Sequence, residues 1–235
     1  VRNRYANQLL RYNKILNDVH SVTAFAGFEY NDQYTKTSSA TGEGIPVGGE
    51  VLGVAATPAR VGGDQYTWKA IGYYCNANYA YKDTYMLQLS YRHDGSSKFG
   101  RNKRFGDFFT IGVGWNIQNE AFMKNVDFIS QLKLRASYGS TGNTPGSAFS
   151  HMGLYRINLN YNTLPAAFPY QMANRNMTWE KAYTTNVGVD TEFFNRIALS
   201  LEFYIKNTSG LLYAMPLSAL SGYSTQWVNQ RSEEH

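Results

Sequence analysis

The sequence predicts an all-β chain: a partial antiparallel transmembrane β-barrel of about eight strands, with short turns on one side and long loops on the other. Six stretches alternate apolar and polar residues, and side chains on a strand point to opposite faces with period two. The gaps joining neighbouring strands tend to run short, long, short, long, the rhythm of a barrel standing in a membrane. Aromatic residues sit near strand ends, where interfacial rings belong: Tyr81 and Tyr85 flank one short turn, and Phe193 and Phe194 border another.

Each element follows from its own pattern. Tyr5 to Tyr12 reads as a first strand, Leu16-Asn17-Asp18 as a tight turn and Val19 to Tyr30 as the next strand. On that second strand Val22, Ala24, Ala26 and Phe28 oppose Ser21, Thr23, Phe25 and Gly27. Asn31 to Asp64, rich in Gly, Thr, Ser and Ala, is expected to be a long loop. Tyr73, Cys75, Ala77, Tyr79 and Tyr81 then share a face, and Lys82-Asp83 makes a two-residue turn that would fix the hairpin register. Tyr85, Leu87, Leu89 and Tyr91 form the greasy face of the fourth strand, against Thr84, Met86, Gln88, Ser90 and Arg92. A medium loop is expected from His93 to Arg104. Phe109, Ile111, Val113, Trp115 and Ile117 mark strand five. The connection from Gln118 to Gln131 has room for one short helix, with Phe122, Val126 and Ile129 at roughly helical spacing. Leu132, Leu134, Ala136 and Tyr138 mark strand six, and Ser140 to Asn176 is expected to be a second long loop, carrying Pro145, Pro165 and Pro169. The last clear pair is Tyr183 to Phe193 and Ile197 to Lys206 around Phe194-Asn195-Arg196, and another loop is expected beyond Asn207. Lys133, Arg135, Asp190, Glu202 and Lys206 all fall on polar faces, as a wet lumen requires.

Composition bounds the function. The chain has 235 residues, 43% hydrophobic, with a mean hydropathy of -0.43, and no segment approaches the roughly 20 apolar residues of a membrane helix. Alternating barrel strands hide their lipid-facing half in such an average. The 19 Tyr residues suit membrane interfaces and ligand surfaces alike. The net charge of +5 contains no block of like charge, so no nucleic-acid partner is expected. Cys75 is the single cysteine and reads as a small hydrophobe among Tyr residues. Val1 begins inside strand-like sequence, and Arg231 to His235 has no strand pattern where an outer-membrane barrel tends to finish on an aromatic. A fragment cut at both ends is expected.

The segment Leu89-Ser90-Tyr91-Arg92-His93-Asp94-Gly95-Ser96-Ser97-Lys98-Phe99-Gly100 resembles a signature of the SusC/RagA family, TonB-linked outer-membrane transporters of Bacteroidota. The resemblance continues through Arg104-Phe105-Gly106, then Gly114-Trp115-Asn116-Ile117 with Glu120-Ala121-Phe122, and Leu132-Lys133-Leu134-Arg135-Ala136-Ser137-Tyr138-Gly139-Ser140-Thr141-Gly142-Asn143. Met177-Thr178-Trp179-Glu180-Lys181 looks like the family's LxWE strand start, with Met177 in the Leu place, and Thr185-Asn186-Val187-Gly188-Val189-Asp190 follows. The match covers most of Val19 to Gln230. The resemblance implies a larger barrel with an N-terminal plug in its lumen, of which residues 1–235 supply a middle-to-late part of the barrel without the plug. It implies uptake of oligosaccharides or peptides, a SusD-like surface lipoprotein, and a TonB complex reached through the plug.

Several motifs have plainer readings. His93-Asp94-Gly95-Ser96-Ser97 has the oxygen donors of a cation site, but a tight loop held by the Asp side chain is the favoured reading. Gly139 to Gly146 lacks the ending of a phosphate loop. His20, His93, His151 and His235 are not at metal-ligand spacing, and no Gly-x-Ser-x-Gly elbow occurs, so neither a metal, a cofactor nor enzyme activity is expected. Tyr155, Tyr161, Phe168, Tyr170 and Trp179 cluster in or near the second long loop, either as a stacking platform for sugar or peptide or as loop packing. The candidate substrate contacts are Arg92, Asp94, Tyr155, Tyr161, Tyr170 and Trp179. Energised uptake through the outer membrane is the favoured function. A structural or adhesive surface β-protein and a passive porin are the alternatives. Two unpaired sheet edges would make the fragment alone prone to aggregation.

Overall fold

The computed structural model describes residues 1–123, 126 and 128–230, leaving aside the side chains of residues 158 and 159. Twelve strands follow in order: β1 (Arg2–Leu16), β2 (His20–Glu43), β3 (Thr57–Tyr81), β4 (Tyr85–Ser96), β5 (Phe105–Asn116), β6 (Ile129–Asn143), β7 (Leu154–Tyr161), β8 (Leu164–Met172), β9 (Glu180–Phe193), β10 (Ile197–Ser209), β11 (Leu211–Pro216) and β12 (Thr225–Gln230). Eight of them form one antiparallel sheet in the order β1-β2-β3-β4-β5-β6-β9-β10. The sheet does not close on itself, so β1 and β10 are its edges. The other four form a small sheet in the order β11-β12-β8-β7.

Register turns each strand's alternation into a property of the whole wall. Val22, Tyr79, Leu87, Val113, Ala136, Val187 and Phe203 stand in one row across β2 to β10. The adjacent row on the other face reads Thr23, Asn78, Gln88, Gly112, Ser137, Asn186 and Tyr204. Tyr79, Leu87, Leu89, Ile111, Val113, Val187, Leu201 and Phe203 are all exposed, with no second layer packed on them. An apolar surface this continuous is foreign to a monomer in water and natural against hydrocarbon.

Three short turns fix that register. Asn17 and Asp18, Lys82 and Asp83, and Phe194 and Asn195 all take positive φ, between 50° and 55°, the twist-matched geometry of tight hairpins. Rings gather beside them. Tyr85 stacks between Tyr81 and Trp115 with centroids 6.4 and 6.3 Å away, and Phe128 lies against Phe193 and Phe194.

The structure corrects the loop boundaries. The segment from Asn31 to Asp64 is mostly strand: β2 and β3 stay paired as far as Glu43 and Thr57, with one irregularity at Thr41/Gly42. Thr and Ser on both faces erased the apolar alternation there without removing the β preference. β4 likewise runs on to Ser96. The segment from Ser140 to Asn176 holds the end of β6 and the β7–β8 hairpin, turning at Asn162 and Thr163 with φ of 47° and 68°. Pro165 and Pro169 are tolerated because β12 pairs with β8 only at Gln171 and Met172. Beyond Asn207, β10 runs to Ser209, and β11 and β12 follow.

In place of a helix after strand five, the described residues form two 3-10 turns, Ile117–Asn119 and Ala121–Met123. Residues 124, 125 and 127 lie outside the described residues, as does the ending Arg231 to His235. Side-chain anchors hold the segment down before a helix can nucleate. Asn116 and Asn119 donate to the Asp83 carbonyl at 2.6 and 3.0 Å. Glu120 accepts from the Tyr85 hydroxyl at 2.6 Å and from the Trp115 indole at 3.1 Å.

The buried core sits at the long-loop rim. Phe99, Phe108, Met177 and Trp179 form it, with Leu212 and Trp227 packed alongside. Phe99 and Trp179 ring centroids are 4.5 Å apart, and Phe108 meets Trp179 edge-on at 5.3 Å. A side chain at Gly142 would collide with the Phe108 ring. Segments that the sequence reading treated as separate motifs thus meet in one knot: Phe99 of the Leu89–Gly100 motif, Gly142 of the Leu132–Asn143 motif and Trp179 of the Met177–Lys181 motif.

Candidate functional site

The polar face of the large sheet carries two charged clusters at different heights. The lower one, nearer the short turns, is centred on Arg135 of β6. Its Nε donates to Asp190 at 3.1 Å and its Nη2 to Glu202 at 3.2 Å. Ser200 donates to Asp190 at 2.6 Å, and Asn186 donates to Glu202. Arg135 reaches β10 by crossing Gly188 on the intervening β9, where a Cβ would lie 2.8 Å from the guanidinium carbon. A concavity of about 400 Å³ lies beside it, lined by Thr23, Asn78, Gln88, Lys133, Arg135 and Ser137 among others.

The upper cluster lies near the long-loop rim. Glu29, Gly72 and Asp94 are register partners across β2, β3 and β4. Arg92 lies over the gap at Gly72, where a Cβ would come within 2.5 Å of Asp94 Oδ1 and 3.1 Å of Arg92 Nη2. The guanidinium grips Asp94 through Nε at 3.0 Å and Nη2 at 2.9 Å and stands 3.5 Å from Glu29. It also sits 5.5 Å from the Tyr74 ring centre. Lys98 places its ammonium 4.9 Å from the Trp68 ring centre and donates to the Pro145 carbonyl at 3.3 Å. Together they line a hollow of about 250 Å³. Asn31 also lines the hollow. Its Oδ1 is buried and has no hydrogen-bond partner among the described residues. Such an array can hydrogen-bond a polar ligand in a fixed orientation.

Of the six candidate contacts named from the sequence, the structure brings Arg92, Asp94 and Trp179 to this hollow. Trp179 lines it from the rim core. It is buried in the rim core and its indole N–H donates to the Arg104 carbonyl at 3.0 Å, so it supports the site and does not belong to an exposed platform. Tyr155 and Tyr161 are exposed on β7. Tyr170 is half-buried on β8, with the Arg156 guanidinium 4.3 Å from its ring centre. These three tyrosines belong to the small sheet, apart from the hollow. Glu29, Asn31, Trp68 and Lys98 were missed. Glu29 continues the wet face of β2 two residues past Gly27 and was within reach of the alternation. Asn31 and Lys98 fell in segments read as loops. Among the described residues, no three His, Cys, Asp or Glu side chains gather as a metal site requires.

Comparison with known proteins places this geometry. The family described as "TonB dependent receptor-like, beta-barrel" matches residues 2–234. TonB-dependent receptor P39 of Formosa agariphila is 35% identical over 240 residues, covering 95% of this chain and 22% of that protein. TonB-dependent receptor SusC of Bacteroides thetaiotaomicron is 33% identical over 164 residues, covering 66% of this chain and 16% of that protein. The solved RagAB peptide transporter superposes with a TM-score of 0.86 at 24% identity, over 97% of this chain and 26% of its own. The chain thus spans about a fifth of the length of these curated relatives. With a wall apolar on one face and polar on the other, and the family sequence matched nearly end to end, the chain belongs to the TonB-dependent receptor β-barrel family.

Proposed function

We propose that residues 1–235 form barrel wall and outer loops of an outer-membrane transporter that takes up oligosaccharides or peptides at the expense of energy delivered through TonB. The apolar row of the wall meets lipid, the polar row lines the passage, and the rim knot ties the long loops over its mouth. A plug carried elsewhere in the longer protein gates the lumen and offers TonB its handle, and a SusD-like lipoprotein sits over the outer rim. Arg92 and Asp94 in the hollow, with Tyr155, Tyr161 and Tyr170 on the small sheet, are the proposed ligand contacts.

The observation that carries this reading is the seven-strand apolar row set back to back with a polar one. Names of relatives support it: the matched curated proteins are TonB-dependent receptors, and RagAB is described as a peptide importer with closed-closed and open-open states. The test is uptake of labelled oligosaccharides and peptides by cells carrying the full-length protein, with and without TonB. Uptake that vanishes without TonB is expected. Uptake that persists identifies a passive pore, and surface display with no uptake identifies an adhesive or structural protein.

A further inference from the structure

We infer that the lipid-facing side of β1, β2 and β3 is a site for one phosphorylated glycolipid of the outer leaflet, with its anionic head on Arg4 and Lys69 and an acyl chain in a trough at Ala26, Cys75 and Ala77. The inference rests on the outer-membrane placement of the wall proposed above, long loops outward, and on no transported substrate. The trough is a gap in an otherwise bulky face. Ala24 and Ala77 are register partners, and so are Ala26 and Cys75. Larger side chains flank this block of four: Leu10 and Tyr12 on β1, Leu89 and Tyr91 on β4. Together they enclose about 540 Å³. Phe28 and Tyr73, with ring centroids 5.3 Å apart, stand at the end nearer the rim. Hydrocarbon is the solvent of this face, and an unfilled trough would forfeit dispersion contacts along its lining.

Charge above the trough selects the lipid. On the same face, Arg4, Asp32 and Lys69 are register partners across the three strands, Arg2 stands one row further on beside Tyr34, and Lys36 follows on β2. These four cations face outward past the apolar band against one carboxylate, that of Asp32, which is only 9% exposed. Arg4 and Lys69 are exposed, and among the described residues neither makes an ion pair. Both therefore keep their donors for a phosphate, to which they bind through charge-assisted hydrogen bonds. From Lys69 to Cys75 is about 20 Å along β3, so a lipid held by its head at Lys69 lays a long acyl chain into the trough. Arg4 and Lys69 stand two strands apart, about 10 Å. That separation suits a sugar head phosphorylated at both ends better than one compact phosphate. A second copy of the chain fits poorly, because an isologous contact would set this face against itself and bring cation against cation.

The experiment uses the full-length protein, stripped of lipid in detergent. Bisphosphorylated lipid A, the same lipid with both phosphates removed, and phosphatidylglycerol are each titrated in, and native mass spectrometry counts the molecules retained. One lipid A is expected to bind at about tenfold lower concentration than either of the others. Arg4→Gln with Lys69→Gln is expected to weaken that binding about thirtyfold. Ala77→Phe, which fills the trough and leaves every charge in place, is expected to weaken it severalfold. Each variant is first checked for heat-modifiable migration, the mark of a folded barrel, and Ala26→Val replaces Ala77→Phe if the latter does not fold. Equal binding of the three lipids, indifference to either kind of substitution, or retention of a second copy of the protein in place of lipid overturns the site. Wild-type protein that binds lipid A in this way but gives no TonB-dependent uptake overturns the uptake reading instead, so the two failures are distinct.

Discussion

At the residue scale, the polar face is built by pairing a long charged side chain with a missing one. Arg135 spans three strands because Gly188 leaves a flat path beneath its guanidinium. Arg92 does the same over Gly72. The ion pairs themselves are half-exposed, where each contributes modestly, so what the glycine supplies is chiefly room. Gly188→Val should therefore push Arg135 off Asp190 and Glu202 and destabilise the full-length barrel by about 1–3 kcal/mol, the usual cost of overpacking. In an Arg135→Ala background the same substitution should cost much less, because the crowded group is gone. Denaturant unfolding of the four proteins in the same detergent measures the difference. Equal costs in both backgrounds would show that Gly188 serves the backbone and not Arg135.

At the element scale, alternation is the instrument, and its two faces should answer oppositely to the same change. Leu89 and Gln88 are neighbours on β4, one exposed on the apolar face, the other lining the polar concavity. Leu89→Arg should cost about 2–4 kcal/mol for folding into lipid vesicles, and Gln88→Arg a small fraction of that. Comparable penalties at both positions would contradict the assignment of faces. This alternation is also what made the sheet legible in sequence. The turn at Lys82-Asp83, the stripes of β4, β5 and β10, and the polar positions of Arg135 and Glu202 could all be read from it directly. Where a strand runs past the apolar band, both faces turn polar and the signal dies, which is why β2 beyond Tyr30 and β3 as far as Asp64 looked like loop. The rim core had a different obstacle. Phe99 and Phe108 lie far along the chain from Met177 and Trp179, and no local period announces such a meeting. Family motifs contain Phe99, Met177 and Trp179, and Trp179, a candidate ligand contact from the sequence, both packs in this core and lines the hollow.

At the scale of the whole molecule, the sheet is an open wall. β1 is exposed along its whole length, β10 along nearly all of it, and each offers unpaired backbone groups on one side. Open edges next to an uncovered apolar face invite association, so residues 1–235 expressed alone in plain buffer should not give a monodisperse monomer on gel filtration. A sharp monomer peak would mean that the apolar face has found cover within the chain. The apolar band has the height that a membrane wall requires. From Tyr73 to Tyr81 on one face of β3 is about 26 Å along the strand, close to the roughly 25 Å band of an outer-membrane barrel before tilt is allowed for. The charged clusters on the opposite face stand at two heights of the wall, the Arg135 group near the short turns and the Arg92 group under the rim knot.

The central claim is that one face of this wall touches hydrocarbon and the other touches water. The measurement that tests it most directly is a cysteine scan of residues 84–91 in the full-length protein, with Cys75 replaced by serine, in native outer membranes. Each site carries a nitroxide whose collisions with dissolved oxygen and with a water-soluble nickel chelate are compared. Positions 85, 87, 89 and 91 should favour oxygen, and positions 84, 86, 88 and 90 the chelate, in strict alternation. A uniform profile, or one with the chelate reaching the Leu87 and Leu89 positions, would contradict the account.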